Sequence, residues 1–261
     1  DPYAIYARHV LRLRALDPLE AEPDAADRGT ILHTALDAFV REHPAALPAD
    51  ALARLIAAGR AAFGDALARP EVHAFWWPRF ERVAVWFLEE ERRRRAAGIV
   101  NVRTEATARL VLERPGGPFA LTGKADRIDR MADGRLVIVD YKTGTLPKAT
   151  EILAGLSPQL PLEAAMAAAG AFADVDPAPV AEIAFWSLKG TAEAGRIEPV
   201  KGDPADLGAQ ALAGLAALVD RFDDVQVPYR PVPRPAFAPR FSDYGHLARV
   251  AEWSVAAGGE E

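Results

Sequence analysis

The residues best suited to chemistry fall in two stretches, Gly123-Lys124-Ala125-Asp126-Arg127-Ile128-Asp129 and Val137-Ile138-Val139-Asp140-Tyr141-Lys142-Thr143-Gly144. Side chains alternate along a strand, so Asp140 and Lys142 share a face and present a carboxylate and an ammonium together. They end an apolar run from Leu136 to Val139. Asp133-Gly134 is a strong hairpin turn, and it folds the strand carrying Asp126 back towards Asp140. Two carboxylates on neighbouring strands suit one hard divalent cation, and Mg²⁺ in such sites keeps several of its waters. A cation held there activates water, orients a phosphate and stabilises the departing oxygen. Lys142 is placed to position or help deprotonate the attacking water and to neutralise developing charge. Alone, an Asp-x-Lys triplet is commonly a surface ion pair; Asp126 on the paired strand adds its weight.

Two further pieces are weaker singly. Gly29-Thr30-Ile31-Leu32-His33 puts an imidazole one helical turn beyond a small residue, although a lone helical histidine is commonly structural or solvated. In Ser157-Pro158-Gln159-Leu160-Pro161-Leu162-Glu163, Ser157 suits an N-cap and Pro158 the first helical position. Gln159 then lies near a helix N-terminus, where backbone N–H groups attract phosphate.

The elements that must position these groups follow from periodicity and breakers. Helices are expected over Tyr3–Arg14, Gly29–Glu42 and Ala49–Ala68, and from Pro78 to about Ala97, with a loop from Asp17 to Asp27. Strands are expected over Val102–Leu112, Phe119–Arg130, Arg135–Lys142 and Val180–Leu188, with a short partner at Arg196–Val200. Helices follow at Ser157–Ala169 and Pro204–Phe222. Val227–Arg240 is Pro-rich and extended, and Ser242–Trp253 closes as a short helix. The order gives an α/β (α+β) fold, a mixed sheet flanked by helices with a helical N-terminal region. We expect one domain over 1–261: a helical part to residue 100, a catalytic core over 101–222, and a C-terminal extended segment with a short helix over 223–261. Trp76-Trp77, before Pro78, offer a surface for base stacking or, more simply, core. Glu89-Glu90-Glu91-Arg92-Arg93-Arg94-Arg95 is either a DNA-binding arginine patch or a solvated helix end. The second is the plainer reading, because Glu89–Arg93, Glu90–Arg94 and Glu91–Arg95 are favourable i,i+4 pairs.

Composition bounds the function. The chain of 261 residues has no cysteine, which excludes disulfides, thiolate nucleophiles and cysteine-ligated clusters. No apolar run reaches the roughly 20 residues that span a bilayer, and no signal peptide is visible. The opening Asp1-Pro2-Tyr3 reads as the start of a fragment of a longer, cytoplasmic protein. A net charge of −6 does not support DNA binding by overall charge, though a local basic groove suffices.

Taken together, the Gly29–His33 helix, the Gly123–Asp129 strand, Asp140-Tyr141-Lys142-Thr143-Gly144 and Gln159-Leu160 occur in the order seen in RecB-type nucleases of the PD-(D/E)XK superfamily, which the chain resembles. The flanks, Asp1-Pro2-Tyr3 with Tyr6 and Phe241-Ser242-Asp243-Tyr244 with Glu252-Trp253, resemble the ends of the C-terminal nuclease domain of AddB-type subunits. The resemblance implies a restriction-endonuclease-like fold and a Mg²⁺- or Mn²⁺-dependent deoxyribonuclease. Its substrate would be single-stranded DNA fed by a helicase in double-strand-break repair, with an AddA-type helicase–nuclease subunit as partner. It implies His33, Asp126, Asp140 and the Tyr141 backbone carbonyl as metal ligands, Lys142 as the catalytic lysine, and Gln159 near the scissile phosphate. Glu105 is a weaker candidate. Asp129, three residues from Asp126, falls on the other strand face and reads as structural. Many relatives staple the domain's ends with a four-cysteine iron–sulfur cluster. Here Asp1 stands at the first cysteine position, so packing must serve instead, with Tyr3, Tyr244 and Trp253 as anchors. The competing reading is a structural or DNA-guiding domain on the same fold, without turnover.

Overall fold

The computed structural model describes residues 1–16, 22–233, 242–250 and 252. The chain forms two compact units, one of Pro23–Val219 and one of Asp1–Glu22 with Asp220–Glu261.

The larger unit is built on a five-stranded sheet in the order β1 (Ile99–Leu112), β2 (Phe119–Met131), β3 (Leu136–Lys142), β4 (Val180–Ser187), β5 (Arg196–Pro199). Only β3 and β4 run parallel. Their crossover holds α5 (Ala149–Leu153) and α6 (Gln159–Ala168), as a parallel connection requires. β3 is buried along both faces, which is why its sequence reads as continuous apolar residues rather than an alternation.

Each sheet face has its own core. Val137, Val139, Tyr141 and Trp186 pack beneath α2 (Ala25–Glu42), α3 (Ala51–Phe63) and α4 (Trp77–Ala96). Ile138, Ile183 and Phe185 pack with Leu160, Ala164 and Met166 of α6 and with Leu207 of α7 (Pro204–Asp223). Trp77 is core, edge-on to Phe63, with its indole N–H on Glu81; Trp76 packs partly against the same core. Gly59 of α3 faces the Phe80 ring so closely that an added Cβ would lie 2.1 Å from Cε1.

The α2 helix starts a turn earlier than its periodicity predicts. The Asp24 carboxylate accepts from the N–H groups of Ala26 and Asp27, and Asp27 accepts from the N–H of Asp24. This capping box outweighs the absence of apolar spacing there, and the added turn brings Arg28 into the helix. At α6 the start is a single residue later than the Ser157 cap implies, with Pro158 at the N-cap position.

The Glu89–Arg95 run meets the plainer expectation only in part. Glu91 is fully buried and Glu90 nearly so. Arg94 donates to Asp129 at 2.9 Å, Arg95 to Glu91 at 3.1 Å, and Arg127 to both Asp129 and Glu91. Arg127 and Asp129 occupy the β2 face beneath α4, so buried ions anchor the sheet side of this helix end, while Glu89, Arg92 and Arg93 stay exposed. Asp129 is structural, as its parity predicts.

In the smaller unit α1 is shorter than expected: Pro2–Ile5, continued by a π-helical turn over Tyr6–Val10. The closing segment is a run of turns over 243–249, with helical residues at 250 and 252. Its ties are polar as well as aromatic. The Tyr244 hydroxyl donates to the Leu13 carbonyl at 2.9 Å, the Val232 N–H donates to Asp1 at 3.2 Å, and Tyr6 stacks on Tyr229. Trp253 and the segment 234–241 lie outside the described residues.

Candidate metal centre

The site forms where the ladders on both sides of β2 lapse. β1 and β2 pair through Thr104 with Arg127 and Ala106 with Ala125, which sets Glu105 opposite Asp126 with no paired backbone between them. Glu105 has φ 53, a left-handed conformation that costs a non-glycine residue free energy and concentrates at functional positions. It also reverses the strand's faces. Val102 joins the core under α2–α4, whereas Ala106 and Ala108 join the core under α6. On the other side, β2 and β3 pair from Arg127 with Val139 onwards. Past that point the Asp126 carboxylate, rather than the β2 backbone, accepts the Tyr141 N–H at 2.8 Å.

Into this opening α2 brings His33. Its Nε2 lies 2.9 Å from the Tyr141 carbonyl and its Nδ1 3.4 Å from Asp126. Gly29, one turn earlier, allows the approach: a Cβ there would meet Thr143 Oγ1 at 3.3 Å. Ligand atoms of His33, Glu105 and Asp126 all lie within 4.8 Å of one another. Glu105 is paired with the Lys124 ammonium.

Asp140 and Lys142 lie beside this trio. Asp140 is almost wholly buried, and Lys142 Nζ lies 2.9 Å from its Oδ1 and 2.8 Å from its Oδ2. Only the first approach has hydrogen-bond geometry, so Oδ2 is a buried carboxylate oxygen with an unused lone pair. Lys142 also donates to Gln159 Oε1 at 3.4 Å, and Gln159 donates through Nε2 to Glu163 at 3.1 Å. Every residue expected at the site is therefore present in two adjoining groups: His33, Asp126 and the Tyr141 carbonyl; and Asp140, Lys142 and Gln159. Glu105 joins the first group. Glu163, which sequence reasoning passed over, joins the second; its i,i+4 spacing from Gln159 was the available signal.

The electrostatics describe a site short of positive charge. Burial raises the Asp140 pKa and the neighbouring Asp126 raises it further, against the pull of Lys142. Burial works against a charged His33, yet Asp126, the Tyr141 carbonyl and Asp140 together raise its pKa. An oxygen-rich donor set with one imidazole, a buried carboxylate oxygen that accepts no hydrogen bond and mutually repelling acids fits a hard divalent cation.

Burial, together with the charges of Asp140 and Asp126, pushes the Glu163 carboxyl up to about 8, against the hydrogen bond from Gln159. Its ordinary value is 4.5. Between these values the unfolded chain releases a proton that the folded chain keeps. Stability therefore falls as pH rises through this window, and the penalty is complete above it. Glu163→Gln removes the ionisation. In metal-free urea denaturation its stability relative to the parent should grow from pH 4.5 to pH 8.5, by on the order of a few kcal/mol. An equal difference at both pH values would show that Glu163 ionises normally.

A family model for the PD-(D/E)XK nuclease superfamily matches residues 2–236. The chain belongs to this superfamily. Its mixed sheet flanked by helices is the restriction-endonuclease-like arrangement of that superfamily, whose nucleases depend on divalent metal. Uncharacterized proteins of Rickettsia bellii and Rickettsia conorii are each 30% identical, over 168 and 172 residues, covering 64% of this chain. The chain spans 20% of the length of those relatives. A solved structure, that of SSO0001, aligns over 91% of this chain and 96% of its own at 13% identity, with a TM-score of 0.31; so loose a superposition adds nothing to the family match. No helix among the described residues is long and apolar enough to cross a membrane.

Proposed function

We propose that this chain is a deoxyribonuclease dependent on Mg²⁺ or Mn²⁺, hydrolysing phosphodiester bonds at the His33–Asp126–Asp140–Lys142 site. The observation that carries this reading is the pair of buried Asp140 and half-buried Lys142 set beside His33, Asp126 and the Tyr141 carbonyl at the splayed end of β3. His33, Asp126, Asp140 and the Tyr141 carbonyl would hold the metal, with Glu105 within reach. The bound metal supplies an activated water and charge stabilisation on the phosphate. Lys142, held between Asp140 and Gln159, positions the attacking water and neutralises charge on the phosphate oxygens. Gln159, at the first turn of α6, orients Lys142 and faces the incoming phosphate. Asp126 fixes the Tyr141 backbone through its N–H, which sets the direction of the carbonyl.

The sequence features of both flanks support a narrower setting, in which this domain belongs to a longer AddB-like chain. It would cleave single-stranded DNA delivered by an AddA-type helicase–nuclease subunit during double-strand-break repair, in the cytoplasm. End-labelled single-stranded DNA is expected to be cleaved in Mg²⁺ or Mn²⁺ and left intact in EDTA. If DNA stays intact both with the isolated protein and with its helicase partner added, while the metal binds normally, the nuclease reading fails and a DNA-guiding role replaces it.

A further inference from the structure

The carboxyl ends of β3 and β4 gather cations that the metal centre does not use. Past Lys142 the chain continues through Thr143. Alongside it, the Leu188 N–H donates to the Lys142 carbonyl at 2.8 Å, and an exposed Lys189 and a buried Gly190 follow. Two helices bring arginines to this edge. Arg28, in the early first turn of α2, donates to the Thr143 carbonyl at 3.4 Å. Arg79, in the first turn of α4, lies against Gly190. A Cβ added there would lie 2.4 Å from the Arg79 carbonyl oxygen and 2.7 Å from its Cβ, and Gly190 has φ +62, so glycine alone permits the approach. Arg82, a turn further on, fastens the same loop by donating to the Gly190 carbonyl at 2.8 Å.

These cations lack acidic partners. Arg54, Arg93, Arg94, Arg95 and Arg127 all sit on carboxylates, whereas among the described residues Arg28, Arg79 and Lys189 form no ion pair. Arg28 is partly buried, and after burial the field of Arg79 is the next influence lowering its pKa. In a chain of net charge −6, neighbouring guanidinium groups without a counter-charge create a local field opposite to the whole, which an anionic ligand offsets.

We propose that Arg28, Arg79 and Lys189 form a phosphate track that carries a nucleic-acid backbone from the metal centre across the carboxyl ends of β3 and β4. This rests on the nuclease reading and names how its substrate is held. Guanidinium groups match phosphate oxygens in a two-pronged fork, and such bonds set the register of a strand without reading its sequence. The order along the edge places the track directly after Lys142, with Thr143 as the bridge.

The test compares the parent, Arg28→Gln/Arg79→Gln, Lys189→Glu and Arg54→Gln. Arg54 is an exposed, paired arginine on α3 and serves as the control. Affinity for a fluorescein-labelled oligothymidine is measured by anisotropy with Ca²⁺ in place of Mg²⁺, at several salt concentrations. Thermal melting checks the fold, and cleavage in Mg²⁺ is followed in parallel. The double variant is expected to bind about tenfold more weakly, with a log–log salt slope smaller by roughly 1.4, about 0.7 for each phosphate no longer neutralised. Lys189→Glu should weaken binding in the same direction, and Arg54→Gln should match the parent. Unchanged affinity and slope in the folded double variant would overturn the track, as would a parent that does not bind the oligonucleotide. The two readings fail separately. Cleavage with unaltered binding removes the track alone, whereas altered binding without cleavage by any form, even with the helicase partner added, removes the nuclease alone.

Discussion

Asp140→Asn is expected to lower the rate of DNA cleavage by roughly 10³-fold, on the scale of losing a preorganised charged group in a buried site, while the protein melts at the same temperature or slightly higher. The two halves of this expectation have one cause. Asp140 is 1% exposed, and burial and Asp126 both disfavour its charge. Asparagine keeps the shape and the oxygen facing Lys142 but carries no charge, so the strain of two neighbouring carboxylates disappears with the site's capacity for a divalent cation. Calorimetric titration with Mn²⁺ should show the loss of affinity directly. A variant that cleaves within tenfold of the parent would remove Asp140 from the chemistry. A variant that fails to fold would show that Asp140 is structural.

Arg127→Met is expected to destabilise the fold by roughly 3–5 kcal/mol, because it leaves the Glu91 and Asp129 charges buried without their shared partner. In a unit of this size that corresponds to a fall in melting temperature of about 10 °C. Arg127 is fully buried, bonded to Asp129 at 2.6 Å and to Glu91, and stacked over the Trp186 ring at 4.9 Å. Arg94 and Arg95 still reach Asp129 and Glu91 from α4, so the loss is limited rather than complete. Neutralising the whole network, Arg127→Met with Glu91→Gln, Asp129→Asn, Arg94→Gln and Arg95→Gln, should recover most of it, since well-packed neutral groups often replace buried ions without penalty. A single variant melting within about 2 °C of the parent, on the same scale, would mean that water enters the network. The effect should also reach the metal centre, because Arg127 donates to the Tyr141 hydroxyl at 3.3 Å while the Tyr141 carbonyl faces His33. One residue thus joins the ionic core on one side of β3 to the site at its end.

The same arrangement shows what was legible in the sequence. Asp140 and Lys142 share a face because strand periodicity is a local property, and Asp133-Gly134 sets the hairpin because turn chemistry is local too. The helical spacing of Gly29 and His33 likewise needs no tertiary information. Asp129 could be assigned away from the site by parity alone.

Other features depended on which surfaces meet. Whether Glu89–Arg95 is solvated is decided by α4 packing over the β2 face that carries Arg127 and Asp129, since an i,i+4 pattern is equally compatible with water or with buried partners. Glu105 comes within reach of His33 and Asp126 where its positive φ turns the strand over, which alternation along an unbroken extended backbone does not foresee. Glu163 gave only a helical spacing. Its raised pKa comes from burial beside Asp140 and Asp126, which exists only once α6 lies across the sheet. Sequence periodicity therefore determined which residues could share a face, while the packing of α2, α4 and α6 decided which faces were dry. In a dry environment a charge must find a partner, change its protonation or bind an ion, so chemistry that composition leaves open is settled by tertiary structure.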